Sequence, residues 1–365
     1  MSELDQSVIQ QDQVWMQRAI ALAQQGQYAT RPNPNVGCVI VKDGQLVGEG
    51  FHPQAGQPHA EVFALRQAGE LAHGATAYVT LEPCAHYGRT PPCAKGLVEA
   101  GIQKVIVACS DPNPLVAGKG VEILRQAGVE VEVGLCEAQA KQLNLGFLKA
   151  MATGMPYVRL KIASSLDGRT AMASGESKWI TGVDARQDVQ HWRAISGAVI
   201  TGIETVLADD CQLNVRQLMD ANVEHIVQPK RVIFDRQGRL PLDAQILQVP
   251  DTVMVMGPFR TELARLGVIQ LDIQSLESLL KTLKDFQIYD VLIEAGATLS
   301  TAFLQEHLVD EVISYVAPTF LGQSARAMFN ADLISMAEQL RFKLKEVTQL
   351  GDDLRLKLIP SQESL

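Results

Sequence analysis

The sequence predicts an α/β protein with two domains. Short apolar strands alternate with helical patterns through both halves. A chain of 365 residues suits two hydrophobic cores better than one. The pattern breaks at Thr153-Gly154-Met155-Pro156, where Gly and Pro interrupt a helical stretch. We therefore predict a first domain over residues 1–151 and a second over residues 156–365.

In the first domain, apolar residues at helical spacing mark the helices, and short apolar runs mark the strands. Asp43-Gly44 lies between two such runs and predicts a hairpin turn. The predicted helices cover 14–25, 59–72, 94–100, 121–127 and 137–151, and the predicted strands cover 36–41, 46–48, 75–81, 104–109 and 129–133. This arrangement places His59 and Cys93 at helix starts, where backbone N–H groups stabilise thiolates.

The second domain opens on a fresh strand after the break. Predicted strands cover 157–163, 198–202, 231–234, 252–256, 290–293 and 311–316, predicted helices cover 184–195, 276–286 and 298–306, and a terminal hairpin joins 342–347 to 354–359. No G-x-G-x-x-G motif opens this domain, so a Rossmann dinucleotide fold is not predicted.

Composition and charge argue against several classes of protein. The net charge of −9 argues against a large nucleic-acid interface, which needs a basic face. No apolar run approaches the roughly 20 residues of a membrane span, and the N-terminus lacks a secretory pattern. Six cysteines in a chain of this length do not make a disulfide framework. We therefore expect a cytoplasmic protein that acts on small molecules.

The segment His59-Ala60-Glu61, followed by Pro83-Cys84 and Cys93, predicts a catalytic zinc site. One His and two Cys supply three ligands to a tetrahedral ion and leave the fourth position open for water. Glu61 lies two residues after the His ligand and is placed to carry protons. This is the H-x-E…P-C signature of the zinc deaminases, which hydrolyse an amidine carbon and release ammonia.

The spacing of the two cysteines leaves alternatives open. Eight residues separate Cys84 from Cys93, whereas the usual signature has P-C-x-x-C. Both thiols would be ordinary buried residues in the alternative interpretation. His86, between them, would replace one cysteine as a ligand, or else face substrate or pack within the loop.

Several segments of the chain resemble one known family. They are Asn33-Pro34-Asn35-Val36-Gly37, Glu82-Pro83-Cys84-Ala-His-Tyr-Gly-Arg-Thr-Pro-Pro-Cys93 and Ser110-Asp111-Pro112-Asn113-Pro114. They are similar to the deaminase half of the bifunctional deaminase/reductase family of riboflavin biosynthesis (the RibD family), in which the long cysteine spacing is usual. The resemblance covers nearly the whole chain. It implies a cytidine-deaminase-like domain over 1–151 and a dihydrofolate-reductase-like, NADPH-dependent domain over 156–365.

The second domain carries the reductase part of the resemblance. The segments concerned are Ala163–Gly168, Ser177–Thr181, Thr205–Asp210 and Glu294–Leu299. In the last of these, a strand, a glycine turn and a helix start make a site suited to a cofactor phosphate. The resemblance implies nicotinamide-cofactor contacts at Ala163, Trp179, Thr205, Asp209, Gly296, Ala297 and Thr298. It implies ribosyl-phosphate substrate contacts at Ser177, Arg193, Leu213, Arg216 and Glu294.

These implied roles are chemically coherent. Arg193 and Arg216 have paired N–H donors suited to a phosphate, and Glu294 can accept from sugar hydroxyls. Trp179 can form a wall for a flat ring. Lys161 lies two residues before Ala163 on the same strand face, so we hypothesise that it assists proton transfer.

On the resemblance, two reactions follow one another. Zinc held by His59, Cys84 and Cys93 activates water, and Glu61 moves the protons, so that 2,5-diamino-6-ribosylamino-4(3H)-pyrimidinone 5′-phosphate is deaminated. Asn33 or Asn35 binds the polar edge of the pyrimidine. NADPH then reduces the ribosyl group of 5-amino-6-(5-phosphoribosylamino)uracil to ribityl.

Two other functions compete with this one. A nucleic-acid deaminase shares the first chemistry, but the acidic charge, the cysteine spacing and the second domain argue against it. A non-catalytic protein with a structural zinc and a sensing domain would not need Glu61 as a proton carrier. We also expect a homo-oligomer, since soluble enzymes commonly assemble with symmetry.

Overall fold

The structure is a computed structural model that describes residues 3–85, 91–113, 116–218, 225–249 and 252–361, with side chains from residue 10. The chain divides into two compact units, Met1–Gly154 and Met155–Leu365. Among the described residues, no helix combines the length and apolar character needed to cross a bilayer.

The first unit is a five-stranded sheet with helices on both faces. Its helices are α1 (Glu3–Gln24), α2 (Ala60–Ala68), α3 (Cys93–Glu99), α4 (Lys119–Gln126), α5 (Glu137–Gln142) and α6 (Leu145–Thr153). Its strands are β1 (Gly37–Lys42), β2 (Gln45–Phe51), β3 (Thr76–Val79), β4 (Lys104–Val107) and β5 (Glu130–Val133). The strand order is β2-β1-β3-β4-β5, with β1 antiparallel to both neighbours and β3, β4 and β5 parallel.

Helix α2 lies unusually close to strand β2. A Cβ atom added at Gly48 would collide with the carbonyl oxygen of Ala64, and one at Gly50 would lie 2.8 Å from the carbonyl oxygen of Ala60. Because glycine lacks this atom, the helix packs directly on the strand backbone. This contact sets the position of the residues at the start of α2.

Most of the predicted elements in this unit are confirmed. The hairpin turn has φ of 50° at Asp43 and 73° at Gly44, the left-handed conformation that a type I′ turn needs. The single helix predicted for 137–151 is wrong, because the structure breaks it into α5 and α6. The break lies at Asn144, whose side-chain amide accepts from Asn35 N (2.7 Å) and donates to Asn35 O (2.9 Å).

The second unit is built on a nine-stranded sheet. Its helices are α7 (Val183–Ile195), α8 (Ile203–Asp209), α9 (Thr261–Arg265), α10 (Leu276–Asp285) and α11 (Ala297–Gln305). Its strands are β6 (Tyr157–Ser165), β7 (Arg169–Ala171), β8 (Ala198–Gly202), β9 (Lys230–Phe234), β10 (Val253–Met256), β11 (Ile269–Leu271), β12 (Asp290–Ile293), β13 (Glu311–Ala317), β14 (Arg326–Ala327), β15 (Phe342–Leu350) and β16 (Asp353–Pro360).

The order in the large sheet is β11-β10-β9-β8-β12-β6-β13-β16-β15, and β7 pairs separately with β14. All strands from β11 to β13 are parallel, and the terminal hairpin is antiparallel. The carboxyl ends of β6, β12, β8 and β9 therefore meet at one edge. In open α/β sheets this edge is where ligands bind.

The predicted strands and helices of this unit are confirmed, apart from shifts at their ends. Five elements were not predicted from the sequence: β7, α8, α9, β11 and β14. All five are short, and the apolar periodicity on which the analysis depends needs a longer stretch.

A group of polar side chains joins helix α7 to the sheet. Asp188 accepts hydrogen bonds from the hydroxyl of Tyr315 (2.5 Å) and from Trp192 Nε1 (3.0 Å). It also accepts from Arg355 Nη1 at 2.7 Å. One carboxylate thus connects α7 to β13 and β16.

His191, on the same helix, gives the second unit a pH dependence. Burial lowers the pKa of His191 to about 4; Arg159, Arg355 and Lys357 lower it further, while Asp188 opposes them. The unfolded chain has a histidine pKa near 6.5 and so takes up the proton first as the pH falls. The contribution of a neutral His191 to the free energy of unfolding is therefore fully present above about pH 6.5. It is lost as the pH falls toward 4, and the loss amounts to about 3 kcal/mol.

We expect the variant His191→Gln to lose less stability than the wild type between pH 7 and pH 4.5. The measurement is the urea unfolding midpoint at both pH values. The exposed His225 offers a matched control, since His225→Gln should leave the wild-type difference intact. Equal losses in the wild type and in His191→Gln would contradict this account.

Candidate active sites

Three candidate metal ligands meet at the carboxyl edge of the first sheet. His59 immediately precedes α2, Cys84 follows β3, and Cys93 begins α3. The His59 Nδ1 atom lies 3.7 Å from Cys84 Sγ and 3.3 Å from Cys93 Sγ. The backbone N–H of Cys93 donates to Cys84 Sγ at 3.3 Å, so the start of α3 stabilises negative charge on that sulfur.

This geometry fits a tetrahedral zinc ion. Ordinary Zn–S and Zn–N bond lengths place nitrogen and sulfur ligands about 3.6 Å apart, close to the observed separations. A hydrogen bond from Cys93, and a smaller effect of one from His59, lower the pKa of the Cys84 thiol to about 4. The Cys84 thiolate and burial in turn raise the pKa of the Cys93 thiol. Among the described residues, His59, Cys84 and Cys93 are the group of three or more possible metal ligands whose ligand atoms all lie within 4.8 Å of one another.

Glu61 is a buried carboxylic acid beside these three residues. It lies in the first turn of α2 and is 3% exposed. Within the described parts of the chain, its Oε2 atom is buried with no hydrogen-bond partner. A buried carboxylate oxygen without a hydrogen-bond donor lowers the stability of the fold. A water molecule bound beside the metal ligands would supply the missing donor. Burial raises the pKa of Glu61, with the negative Cys84 adding to the effect.

The structure distinguishes between the two asparagines of the sequence analysis. The side chain of Asn35 is occupied, because Oδ1 accepts from Thr30 Oγ1 (2.6 Å) and Nδ2 donates to Leu143 O (3.0 Å). Asn33 Nδ2 instead contacts His52 Nε2 at 3.0 Å. The His52 ring lies 5.4 Å from that of His59, between centroids. Asn33 is therefore the better placed of the two for a ligand beside the metal ligands.

The sequence analysis assigned no role to two residues of this site, His52 and Glu82, although Glu82 opens one of the family-like segments. His52 lies seven residues before His59 in the sequence, and no motif marked it. Glu82 is 6% exposed and accepts hydrogen bonds from backbone N–H groups at distances of 3.0 to 3.3 Å. The donors are Asp111, Gly118, Gly120 and Val121. Glu82 thus fixes the chain just before Cys84 to the start of α4. The His86 alternative lies outside the described residues.

The second unit holds a cavity of about 1140 Å³ at the carboxyl edge of its sheet. This volume exceeds the roughly 300–1,000 Å³ of ordinary ligand pockets, and it leaves room for a dinucleotide together with a second ligand. The residues that the sequence analysis assigned to the cofactor or the substrate all line it: Ala163, Ser177, Trp179, Arg193, Thr205, Asp209, Leu213, Arg216, Glu294, Gly296, Ala297 and Thr298. Lys161 lines it as well.

A buried ion pair lies in the floor of this cavity. Arg193 donates to Glu294 through Nε (2.5 Å) and through Nη2 (2.9 Å), and Lys161 Nζ lies 3.8 Å from Glu294 Oε2. Burial opposes ionisation of Glu294, but the charge and hydrogen bonds of Arg193 prevail and lower its pKa. Burial also lowers the pKa of Lys161, and the nearby Arg193 adds to this while Glu294 opposes it. Arg193 is thus held by a carboxylate, whereas Arg216 is exposed on the cavity wall.

The residues that the resemblance assigned to the nicotinamide cofactor line the rest of the cavity. The guanidinium of Arg186 lies 4.3 Å from the ring centroid of Trp179, which is 69% exposed. Lys178 Nζ donates to the carbonyl oxygen of Asp209 at 3.3 Å. A Cβ at Gly296 would have no heavy atom within 4 Å, so the start of α11 opens onto free space. A helix start of this kind suits a phosphate group.

Comparison with known proteins gives a family match in each unit. Residues 9–109 match the family described as the cytidine and deoxycytidylate deaminase zinc-binding region, and residues 156–356 match the RibD C-terminal domain. The riboflavin biosynthesis protein RibD of Haemophilus influenzae is 51% identical over 363 residues, covering 96% of this chain and 98% of that protein. Its Escherichia coli counterpart is 49% identical, covering 96% of this chain and 99% of that protein.

Solved structures are similar over almost the whole chain. Acinetobacter baumannii RibD (form 1) has 76% identity and a TM-score of 0.95, covering 97% of this chain and 100% of that one. A Thermotoga maritima diaminohydroxyphosphoribosylaminopyrimidine deaminase/5-amino-6-(5-phosphoribosylamino)uracil reductase has 35% identity and a TM-score of 0.86, covering 97% of this chain and 99% of that one.

Fold, site and matches together define a two-domain α/β enzyme in which a zinc deaminase is joined to a reductase. This confirms the predicted fold class and the predicted zinc and NADPH dependence. The chain belongs to the RibD family of riboflavin biosynthesis proteins.

Proposed function

We propose that the predicted domain over residues 1–151 deaminates 2,5-diamino-6-ribosylamino-4(3H)-pyrimidinone 5′-phosphate. We propose further that the predicted domain over 156–365 reduces the ribosyl group of the product with NADPH. The observation that carries this proposal is the pairing, in one chain, of an open His/Cys/Cys set beside a buried acid with a large cavity over an Arg193–Glu294–Lys161 cluster. The Thermotoga protein bears the names of both activities.

In the deaminase site, His59, Cys84 and Cys93 would hold the metal through one nitrogen and two sulfur atoms. A zinc ion held there supplies Lewis-acid activation of water. Glu61 Oε2, buried and without a partner in the described structure, takes a proton from that water. Glu61 gives this proton to the ring nitrogen as the oxygen bonds to the carbon, then takes the second proton from that oxygen and gives it to the amino group, so that the C–N bond breaks, ammonia departs and a carbonyl remains. Asn33, held by His52, binds the polar edge of the pyrimidine.

In the reductase site, the cavity floor binds the sugar and moves a proton. NADPH, when bound, supplies the hydride that the sugar C1′ accepts. Glu294 accepts from sugar hydroxyls while Arg193 keeps it ionised. Arg216 and Ser177 contact the substrate phosphate end. Lys161, with a lowered pKa, gives a proton to the ring oxygen as the sugar opens.

The variant Lys161→Gln tests the role of the lysine. We expect NADPH oxidation with the deaminated substrate to fall about 100-fold or more, because general acids contribute about 10²–10⁴-fold. Ammonia release should remain at the wild-type rate. The matched control is Lys281→Gln, on an exposed surface ion pair with 59% of the lysine side chain accessible. Full reductase activity in Lys161→Gln would remove this role.

A coupled assay of the purified chain tests the whole proposal. The diaminopyrimidinone ribosyl phosphate and NADPH are supplied together, and ammonia and NADPH are followed with and without a zinc chelator. We expect ammonia first, then NADPH oxidation, and the loss of both on chelation. Ammonia without NADPH oxidation would contradict the assignment of the second unit.

The proposal also covers location and assembly. A reducing cytoplasm suits a site that needs two thiolates, and all six cysteines are free. We propose a homo-oligomer on the general ground that symmetric assembly is common. The net charge of −9 favours small phosphorylated substrates over nucleic acid.

A further inference from the structure

The segment that joins α1 to β1, residues 30–36, holds Asn33 near the candidate metal ligands. It forms neither helix nor strand, so no regular pattern of backbone hydrogen bonds fixes its shape. Its far end is tied to the sheet, because the backbone N–H of Gly37 donates to Thr80 Oγ1 at 3.1 Å. Backbone polar groups within the segment need partners of their own. The position of Asn33 therefore depends on what holds the middle of the segment.

The middle of the segment is held by Asn144. The side-chain Oδ1 of Asn144 accepts from Asn35 N at 2.7 Å, and its Nδ2 donates to Asn35 O at 2.9 Å. A residue on a neighbouring β-strand satisfies its partner in the same way, through both the N–H and the C=O group. Asn144 is 6% exposed, so little water reaches these two bonds. One buried side-chain amide thus replaces a strand partner for the segment.

The place of Asn144 in the chain shows that this contact has displaced another. Asn144 is the N-cap residue of α6, and an asparagine there usually accepts a hydrogen bond from the first turn of its own helix. In the described chain, the Asn144 side chain makes no such capping bond. The preceding residue, Leu143, also contributes, because its carbonyl oxygen accepts from Asn35 Nδ2 at 3.0 Å. Both residues at the break between α5 and α6 therefore bond Asn35.

His52 determines which atom of Asn33 is left for a ligand. The Nδ1 atom of His52 lies 3.0 Å from the carbonyl oxygen of Pro58, which can only accept, so Nδ1 carries a proton. In the neutral ring Nε2 is then an acceptor, and Asn33 Nδ2 donates to it at 3.0 Å. The Oδ1 atom of Asn33 is the acceptor that remains. Such an acceptor suits an N–H group on the edge of a pyrimidine.

We propose that Asn144 is a positioning residue for deamination, which holds Asn35 so that Asn33 presents its Oδ1 atom to the pyrimidine. This inference rests on the proposed deaminase function. Asn144 bonds the residue two positions after Asn33, and it acts on the substrate through the segment 30–36. A misplacement of about 1 Å at a group that contacts substrate can cost about 10²-fold in rate, so a lost anchor in this segment has a measurable effect.

The variant Asn144→Ala tests the proposal through the steady-state kinetics of ammonia release. We expect kcat/KM to fall about tenfold or more, mainly through a higher KM, because a contact that binds the substrate is lost. Zinc content and reduction of the deaminated substrate should stay at wild-type levels. The matched control is Gln142→Ala, at an exposed amide in the last turn of α5. An unchanged KM overturns the proposal. A loss in kcat alone also overturns it, because a smaller folded fraction lowers kcat and leaves KM as it was.

A double-mutant cycle with Asn33→Ala shows whether Asn144 acts through Asn33. Once the Asn33 side chain is removed, Asn144 has no binding group left to position. Adding Asn144→Ala to Asn33→Ala should therefore change kcat/KM by less than about twofold, because residues that act as one unit are not additive. A double variant in which the two single losses multiply would contradict the proposal.

The variant Asn144→Asp provides a milder second test. It keeps the shape of the side chain and the acceptor for Asn35 N, but it replaces the donor to Asn35 O by an acceptor. The KM for deamination should rise in this variant as well. If neither variant folds, Asn144 belongs to the fold alone and the proposal fails. A wild type that releases no ammonia would contradict the proposed function and this inference with it, whereas a wild-type KM in both variants contradicts the inference alone.

Discussion

Replacing Glu61 by Gln is expected to abolish ammonia release while zinc stays bound. The amide keeps the shape of the carboxylate but cannot take the proton that Oε2 is placed to accept. Loss of a general acid–base group costs about 10²–10⁴-fold, and here the same group acts in both proton transfers. Reduction of the deaminated substrate should continue, because the cavity is lined by residues of the second unit. Ammonia release, zinc content and NADPH oxidation are the three measurements.

Glu70→Gln provides the control for this experiment. Glu70 is exposed, in the short 3-10 turn Gly69–Ala72 that continues α2, and the variant should behave as the wild type in all three measurements. If Glu61→Gln lost zinc but kept its fold, the site would be structural rather than catalytic. If it released ammonia at the wild-type rate, the proton carrier would lie elsewhere.

Replacing Glu294 by Gln is expected to damage both stability and reduction in the second unit. The change leaves Arg193, whose side chain is 10% exposed, without its carboxylate. Breaking a buried ion pair from one side typically costs about 3–5 kcal/mol. Reductase turnover should fall as well, because Glu294 lines the cavity and is the group proposed to bind the sugar hydroxyls. Urea unfolding and steady-state NADPH oxidation measure the two effects.

A double-mutant cycle separates the ion pair from other effects of the substitution. The double variant with Arg193→Gln and Glu294→Gln removes both charges. Its loss of unfolding free energy should therefore be smaller than the sum of the losses in the two single variants. Glu277→Gln is the matched control, since its ion pair with Lys281 is exposed and should be worth less than about 1 kcal/mol. Simple additivity in the cycle, or wild-type reduction by Glu294→Gln, would contradict this account of the cavity floor.

Much of the fold could be predicted because its signals are local. Asp43-Gly44 predicts its hairpin through backbone conformations that few other residues adopt. The candidate zinc ligands could be named because metal chemistry restricts residue types and order, and the structure brings His59, Cys84 and Cys93 together. The reductase residues came from family resemblance, and the structure places them around one cavity.

The features that were missed depend on contacts between distant parts of the chain. Asn144 interrupts a helical pattern because it bonds the backbone of Asn35, 109 positions away. Glu82 belongs to a family-like segment, but no local pattern shows its partners, since only the fold brings the start of α4 to its carboxylate.

Mass spectrometry of the product formed with NADPH deuterated at the transferred position tests the central claim most directly. The chain receives the diaminopyrimidinone ribosyl phosphate, and the final product is fragmented to locate the label. We predict a product in which a carbonyl has replaced one amino group and a single deuterium lies on C1′ of an opened ribityl chain. A product that carries deuterium yet keeps the amino group, or one that is deaminated but unlabelled at the sugar, would contradict two consecutive reactions in one chain.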